Sequence, residues 1–88
     1  MTYDVQWTPL AKDMLTEVWM AANRNAVTAA VHRLDHALAR TPLAVGRPMD
    51  SSVHCRAELP PMTIEFYVIE DDKKVVVQGV AAVRPRGQ

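Results

Sequence analysis

Three ionisable side chains, His54, Arg56 and Glu58, alternate along one short stretch of the chain. If this stretch is a β-strand, all three lie on one face about 7 Å apart, because alternate side chains of a strand share a face. A base, a cation and an acid would then stand together, as an acid-base site requires. The simpler interpretation is a solvated or partner-facing surface, with an ion pair from Arg56 to Glu58 or Glu65.

A second polar group consists of His32, Asp35 and His36, whose i, i+3, i+4 spacing can bring metal ligands together on a helix. The three residues lie opposite the apolar stripe of the helix predicted below, and no second cluster in the sequence supplies further ligands. We therefore expect an exposed polar face, no metal and no cofactor. Cys55 is the only cysteine, which excludes an intrachain disulfide and favours a small buried hydrophobe over a reactive thiol.

Arg84 and Arg86 give the end of the chain a basic character, although ten Lys and Arg balance ten Asp and Glu overall. This end is either a contact tail for a partner or a frayed terminus. Zero net charge disfavours nucleic-acid binding unless the charges are segregated, because contacts with phosphates supply much of that affinity.

Two helices and four strands are predicted to position these residues. The first helix begins after a cap at Thr8, and the second after a cap at Asn25. Strands are expected over 2–7, 53–59, 62–69 and 74–83, helices over 9–22 and 26–40, and a loop over 41–52. Trp7, Trp19, Phe66 and Tyr67 are expected to build the core, since large apolar residues are scarce.

The predicted fold is α+β with the order β-α-α-β-β-β, a single domain over residues 1–88. A short break at 23–25 joins the helices, so they should form an antiparallel hairpin packed on one face of a mostly antiparallel four-stranded sheet. The last strand is apolar on both faces, which favours a central position. Something else is then expected to cover part of the sheet's other face.

The composition, 49% hydrophobic and 23% charged, is that of a globular domain. A chain of 88 residues buries only about 60 to 65% of its unfolded surface, so a partner chain would add stability. No apolar run approaches the roughly 20 residues of a membrane span, and the first residues lack the pattern of a signal peptide. We therefore expect a cytoplasmic protein that does not enter a membrane.

Several short pieces together resemble the RelE/ParE superfamily of bacterial toxins. They are YDVQWTPLA at 3–11, LTEVW at 15–19, residues 38–42 with the trailing Gly46, Arg56 on the second strand, and FYVIEDD at 66–72 leading into 75–77. Their order and spacing cover nearly the whole chain. The resemblance implies the α+β fold above, cytoplasmic residence and a cognate antitoxin as partner. A homodimer is compatible with it.

In the ribonuclease branch of the family, basic and acid-base side chains line the open face of the sheet. If Tyr67 is aligned with the family's third-strand tyrosine, Ile64 or Thr63 stands where a catalytic arginine is expected. A second arginine would fall near Gly79. The resemblance therefore favours a ParE-like toxin without competent ribonuclease chemistry, which acts by binding a protein such as DNA gyrase through Arg56, Arg84 and Arg86.

Two alternatives remain open. The first is a ribosome-dependent mRNA endonuclease of RelE type with rearranged catalytic residues, for which His54, Arg56 and Glu58 are the candidates. The second is a non-toxic relic or interaction module. Arg and His side chains that converge in a cleft would contradict the preference for docking alone, because they could stabilise a reacting phosphodiester.

Overall fold

The computed structural model describes residues 2–21, 23–49 and 53–82. These residues form, in order, β1 (Asp4–Trp7), α1 (Pro9–Ala21), α2 (Arg24–Arg40), α3 (Pro42–Val45), β2 (Arg47–Pro48), β3 (His54–Leu59), β4 (Met62–Ile69) and β5 (Lys74–Ala82). Both long helices and the four longer strands lie where the sequence pattern predicts them. No helix in these ranges is long and apolar enough to cross a membrane.

The strands form one mixed sheet in the order β1-β5-β4-β3-β2. Strand β1 is parallel to β5, whereas the other neighbours are antiparallel. The predicted α+β fold is therefore confirmed, and β5 lies inside the sheet between β1 and β4, as its two apolar faces favour. The structure adds two short elements, α3 and β2, within the stretch predicted to be a loop, and β2 gives the sheet a fifth strand at its edge.

Local hydrogen bonds fix where the two long helices begin. Thr8 Oγ1 accepts a hydrogen bond from the backbone N–H of Ala11 at 3.1 Å, as expected for the cap of α1. The cap of α2 is Asn23, whose Oδ1 accepts from the N–H of Ala26 at 3.1 Å. The prediction of Asn25 as this cap was wrong, because Asn25 already lies in the first turn of the helix.

The core lies between the helices and one face of the sheet. Its fully buried side chains include Val27 and Leu38 from α2, and Ile64 and Phe66 from β4. Of the four aromatic residues expected in the core, Phe66 is fully buried there. Trp7 is half-buried against the core, and its indole N–H donates to Asp35 Oδ1 at 2.8 Å.

The other two aromatics lie elsewhere. Trp19 is 37% exposed at the helical surface, with the guanidinium of Arg24 4.6 Å from its ring centroid. Tyr67 is half-buried and belongs to the opposite face of the sheet from Phe66, because adjacent residues of a strand alternate between faces.

A polar cluster ties the start of the chain to the turn between β4 and β5. The Tyr3 hydroxyl donates to Glu70 Oε1 at 2.7 Å, and Lys73 Nζ donates to Glu70 Oε2 at 3.1 Å. These hydrogen bonds lower the pKa of Glu70, and the bond to Glu70 raises the pKa of Tyr3. The backbone N–H of Asp4 also donates to the carbonyl of Lys73 at 2.8 Å. The cluster holds β1 in parallel register with β5.

Gly46 allows β2 to approach the sheet closely. A Cβ atom at this position would lie 2.8 Å from Cζ of Phe66 and 2.9 Å from the carbonyl oxygen of Arg56. Both distances are too short for van der Waals contact, and Phe66 is fully buried, so its ring has little room to move. Only glycine fits here without a shift of the edge strand.

We predict that Gly46→Ala lowers the free energy of unfolding by about 1 to 3 kcal/mol, the usual cost of overpacking. Gly79→Ala is the matched control, because its Cβ would meet the nearest atom, Glu65 Cβ, at an ordinary 3.6 Å. Urea unfolding of both variants measures the difference. Equal stabilities of the two variants would contradict the close packing of Gly46 on Phe66.

Candidate functional site

The face of the sheet opposite the core carries the polar side chains. On β3 these are His54, Arg56 and Glu58, which alternate with the buried Cys55 and Ala57. Their partners in register on β4 belong to the same face: Tyr67 opposite His54, Glu65 opposite Arg56 and Thr63 opposite Glu58. The prediction that His54, Arg56 and Glu58 share a face is confirmed by this register.

A cleft of about 730 Å³ lies at the β2–β3 edge of this face. Its lining residues are Arg47, Pro48, Met49, His54, Arg56 and Glu58. The three candidate residues predicted from sequence therefore line one cleft. Arg84 and Arg86, the other predicted contact residues, lie outside the described residues.

Arg47 is the residue of the cleft that the sequence analysis missed. The sequence predicts a loop at this position, but Arg47 belongs to β2 and is paired in register with Arg56. The signal lay in the sequence Gly46-Arg47-Pro48, because a glycine permits close approach and a proline is tolerated on an edge strand. Like charges directly opposite each other destabilise a pair of strands. A bound anion between the two guanidinium groups would relieve that repulsion.

His54 is held between two residues of β4. Its Nε2 lies 3.2 Å from Oε1 of Glu65, and its ring stands edge-on to Tyr67 with the ring centroids 4.5 Å apart. The His54 side chain is only 14% exposed, whereas that of Glu65 is 46% exposed. Contacts on both sides of the imidazole therefore fix its position in the wall of the cleft.

The predicted ion pair of Arg56 with Glu58 or Glu65 does not form among the described residues, where Glu65 pairs with His54 instead. The reason is geometric, since the Glu65 carboxylate turns towards the imidazole beside it. Arg56 is exposed, and its guanidinium is accessible to an anion in the cleft.

This arrangement has the parts needed to bind a phosphate and to move a proton beside it. Two guanidinium groups suit phosphate oxygens because each presents a planar fork of N–H donors. An imidazole can act as a general base towards a hydroxyl bound beside it. Arg47, His54 and Arg56 line the same cleft.

The polar residues of α2, His32, Asp35 and His36, make contacts within the fold or face solvent. Asp35 accepts the hydrogen bond from Trp7, and Nε2 of His36 lies 3.2 Å from Nη1 of Arg40. His32 is exposed and lines a groove between α1 and α2. Cys55 is 1% exposed, and burial raises the pKa of its thiol. His32 and His36 are exposed, as predicted for this helix face, whereas Asp35 is half-buried against Trp7. Cys55 is the buried side chain that was expected.

No protein-family model matches the sequence. No curated protein matches it either. Solved structures, in contrast, match along nearly the full length. The toxin-antitoxin complex RelBE2 from Mycobacterium tuberculosis contains a chain of 21% identity and TM-score 0.78, with 93% of this chain and 99% of that chain covered.

Two further structures give the same result. A chain of the chromosomal ParDE system from P. aeruginosa is 17% identical with a TM-score of 0.71, and the match covers 93% of this chain and 97% of that one. The isolated E. coli RelE toxin is 14% identical with a TM-score of 0.67, and the match covers 97% of this chain and 88% of that one. The chain therefore has the fold that RelE and ParE toxins of type II toxin-antitoxin systems share.

Proposed function

We propose that this protein is the toxin of a type II toxin-antitoxin pair, and that the cleft lined by Arg47, His54, Arg56 and Glu58 binds RNA and cleaves it. Support for the first part comes from the fold shared with RelE and ParE toxins. Support for the second part comes from one observation: Arg47 stands opposite Arg56 beside a histidine held by Glu65.

The chemistry that suits this cleft is attack of a ribose 2′-hydroxyl on the adjacent phosphate. The 2′-oxygen forms a bond to phosphorus while the bond to the 5′-oxygen breaks, which leaves a cyclic phosphate and a 5′-hydroxyl. His54 takes the proton from the 2′-hydroxyl, Glu65 stabilises the resulting imidazolium, and water protonates the leaving oxygen. Arg47 and Arg56 stabilise the added negative charge on the phosphorane.

The neutrality of the chain extends to the cleft, where Glu58 and the neighbouring Glu65 accompany Arg47 and Arg56. Arg47 and Arg56 lie at one edge of the sheet, whereas Glu70, Asp71 and Asp72 lie in the turn that joins β4 to β5. Affinity for a phosphate depends on the charges within about a Debye length, roughly 8 to 10 Å at physiological salt. The acidic turn lies apart from the cleft, and binding of a phosphate there depends on direct hydrogen bonds from the two guanidinium groups.

We predict that the protein cleaves mRNA in a translation extract and that Arg47→Ala and His54→Ala each reduce the rate by about 100-fold or more. Arg33→Ala removes the same charge as Arg47→Ala from an exposed position on α2 and should leave the rate unchanged. Primer extension across a reporter message measures the cuts. An equal loss of cleavage rate in Arg33→Ala, or an unchanged rate in both cleft variants, would contradict the assignment of the cleft as the nuclease site.

A second candidate function, docking to a protein such as DNA gyrase, is favoured by the similarity to the ParDE chain and by the formal net charge of zero. In this case Arg56, Arg84 and Arg86 contact the target and no RNA is cut. Induced expression in a bacterium separates the two functions. A supercoiling defect with intact messages supports docking, whereas cut messages with normal supercoiling support the nuclease.

Several structures of this fold contain an antitoxin, among them the intact E. coli RelBE complex. On this chain, the groove between α1 and α2 suits such a partner. It has a volume of about 240 Å³ and is lined mainly by apolar residues: Leu15, Thr16, Trp19, Val27, Thr28, Val31 and His32. An amphipathic segment of a cognate antitoxin could bury this surface.

We predict that the product of the neighbouring open reading frame co-purifies with this protein and that Trp19→Glu weakens the complex at least tenfold, since Trp19 lines the groove. Met20→Glu is the matched control, because Met20 is 67% exposed and lies outside the groove. Titration calorimetry of both variants measures the affinities. Independent behaviour of the two wild-type proteins would count against the antitoxin proposal, and equal affinities of the two variants against the groove.

A further inference from the structure

A second cavity, of about 220 Å³, shares Arg56 with the cleft and extends across β4 and β5 to Met14 of α1. Its lining residues are Met14, Arg56, Thr63, Glu65, Gly79, Val80 and Ala81. Arg56 lines both cavities, and Arg56, Glu65 and Gly79 form one row in register across β3, β4 and β5. A molecule whose phosphate lies beside Arg56 can therefore extend directly into the second cavity.

The cavity exists because Gly79 has no side chain. Glu65 pairs with Gly79 whereas Phe66 pairs with Val77, so Gln78 is the extra residue of a β-bulge at this point. A Cβ atom at Gly79 would meet Glu65 Cβ at an ordinary 3.6 Å. A Cβ atom is therefore tolerated at Gly79, and the space beside Glu65 forms part of the cavity.

The Glu65 carboxylate lines the second cavity and contacts His54, which lines the cleft. Its Oε1 lies 3.2 Å from Nε2 of His54, while its Oε2 lies 3.7 Å from the position of a Cβ at Gly79. Thr63, 7% exposed, adds a hydroxyl, and Met14 and Ala81 add apolar surface. The volume is below the roughly 300 Å³ of a drug-sized pocket, so it suits one small ring.

We propose that this second cavity is a base subsite that accepts an amino-bearing pyrimidine, cytosine, from the RNA whose phosphate binds between Arg47 and Arg56. This inference rests on the proposed function of the cleft. The exocyclic amino group donates to Glu65 Oε2, as carboxylates accept from cytosine N4, and the Thr63 hydroxyl donates to the ring nitrogen beside it. Uracil carries a carbonyl oxygen in place of the amino group, and a carbonyl facing a carboxylate is unfavourable.

The test is an NMR titration of the purified protein with three probes: inorganic phosphate, cytidine 3′-phosphate and uridine 3′-phosphate. We expect all three to shift the signals of Arg47 and Arg56. Cytidine 3′-phosphate should bind about tenfold more tightly than uridine 3′-phosphate, the worth of one hydrogen bond to a charged group, and it alone should shift Thr63 and Gly79.

Two variants remove the base subsite in different ways. Gly79→Val fills the cavity with a residue that suits a strand, and Thr63→Val keeps the side-chain shape but removes the hydroxyl. Each should abolish the preference for cytidine 3′-phosphate and leave the affinity for inorganic phosphate within twofold. Ala82→Val is the control, since Ala82 lies on the same strand but does not line the cavity.

The outcomes separate the subsite from the cleft. Equal binding of the two nucleotides, or an unchanged preference in both cavity variants, would overturn the base subsite while phosphate shifts at Arg47 and Arg56 still support the cleft. A lack of any phosphate response at those arginines would overturn the cleft as a phosphate site and the subsite with it.

Discussion

The contact between Gly46 and the ring of Phe66 determines where the polar cleft lies. Phe66 is fixed in the core, and the absence of a side chain at Gly46 lets the chain pass directly over it. The next two residues can then form β2 against β3, which places Arg47 opposite Arg56. Core packing and the composition of the cleft are thus linked through a single pair of residues.

The sheet performs two tasks because its side chains alternate between two faces. One face supplies Ile64, Phe66, Val75 and Val77 to the core, where they pack against the helices. The other face is free of that requirement and carries His54, Arg56, Glu65 and Tyr67. If a strand slipped by one residue, its core side chains would turn to the polar face and its polar side chains to the core. The register that stabilises the core therefore also aligns the polar face.

Glu65 connects His54 of β3 with the space beside Gly79 of β5 on the polar face of the sheet. One carboxylate oxygen faces His54, and the other faces the space left by Gly79. The like charges of Arg47 and Arg56, directly opposite each other, are a local cost that a structural surface would avoid. Local rules are commonly violated at functional sites, with the cost offset elsewhere in the structure.

Sequence patterns determined the two long helices, the four longer strands, the α+β class and the shared face of His54, Arg56 and Glu58. These features follow from periodicity and capping, which act over a few residues. The position of Arg47, the turn of Glu65 towards His54 and the cavity beside Gly79 were decided only by the tertiary structure. Each depends on which strands become neighbours, and strand pairing joins residues that are far apart in the chain.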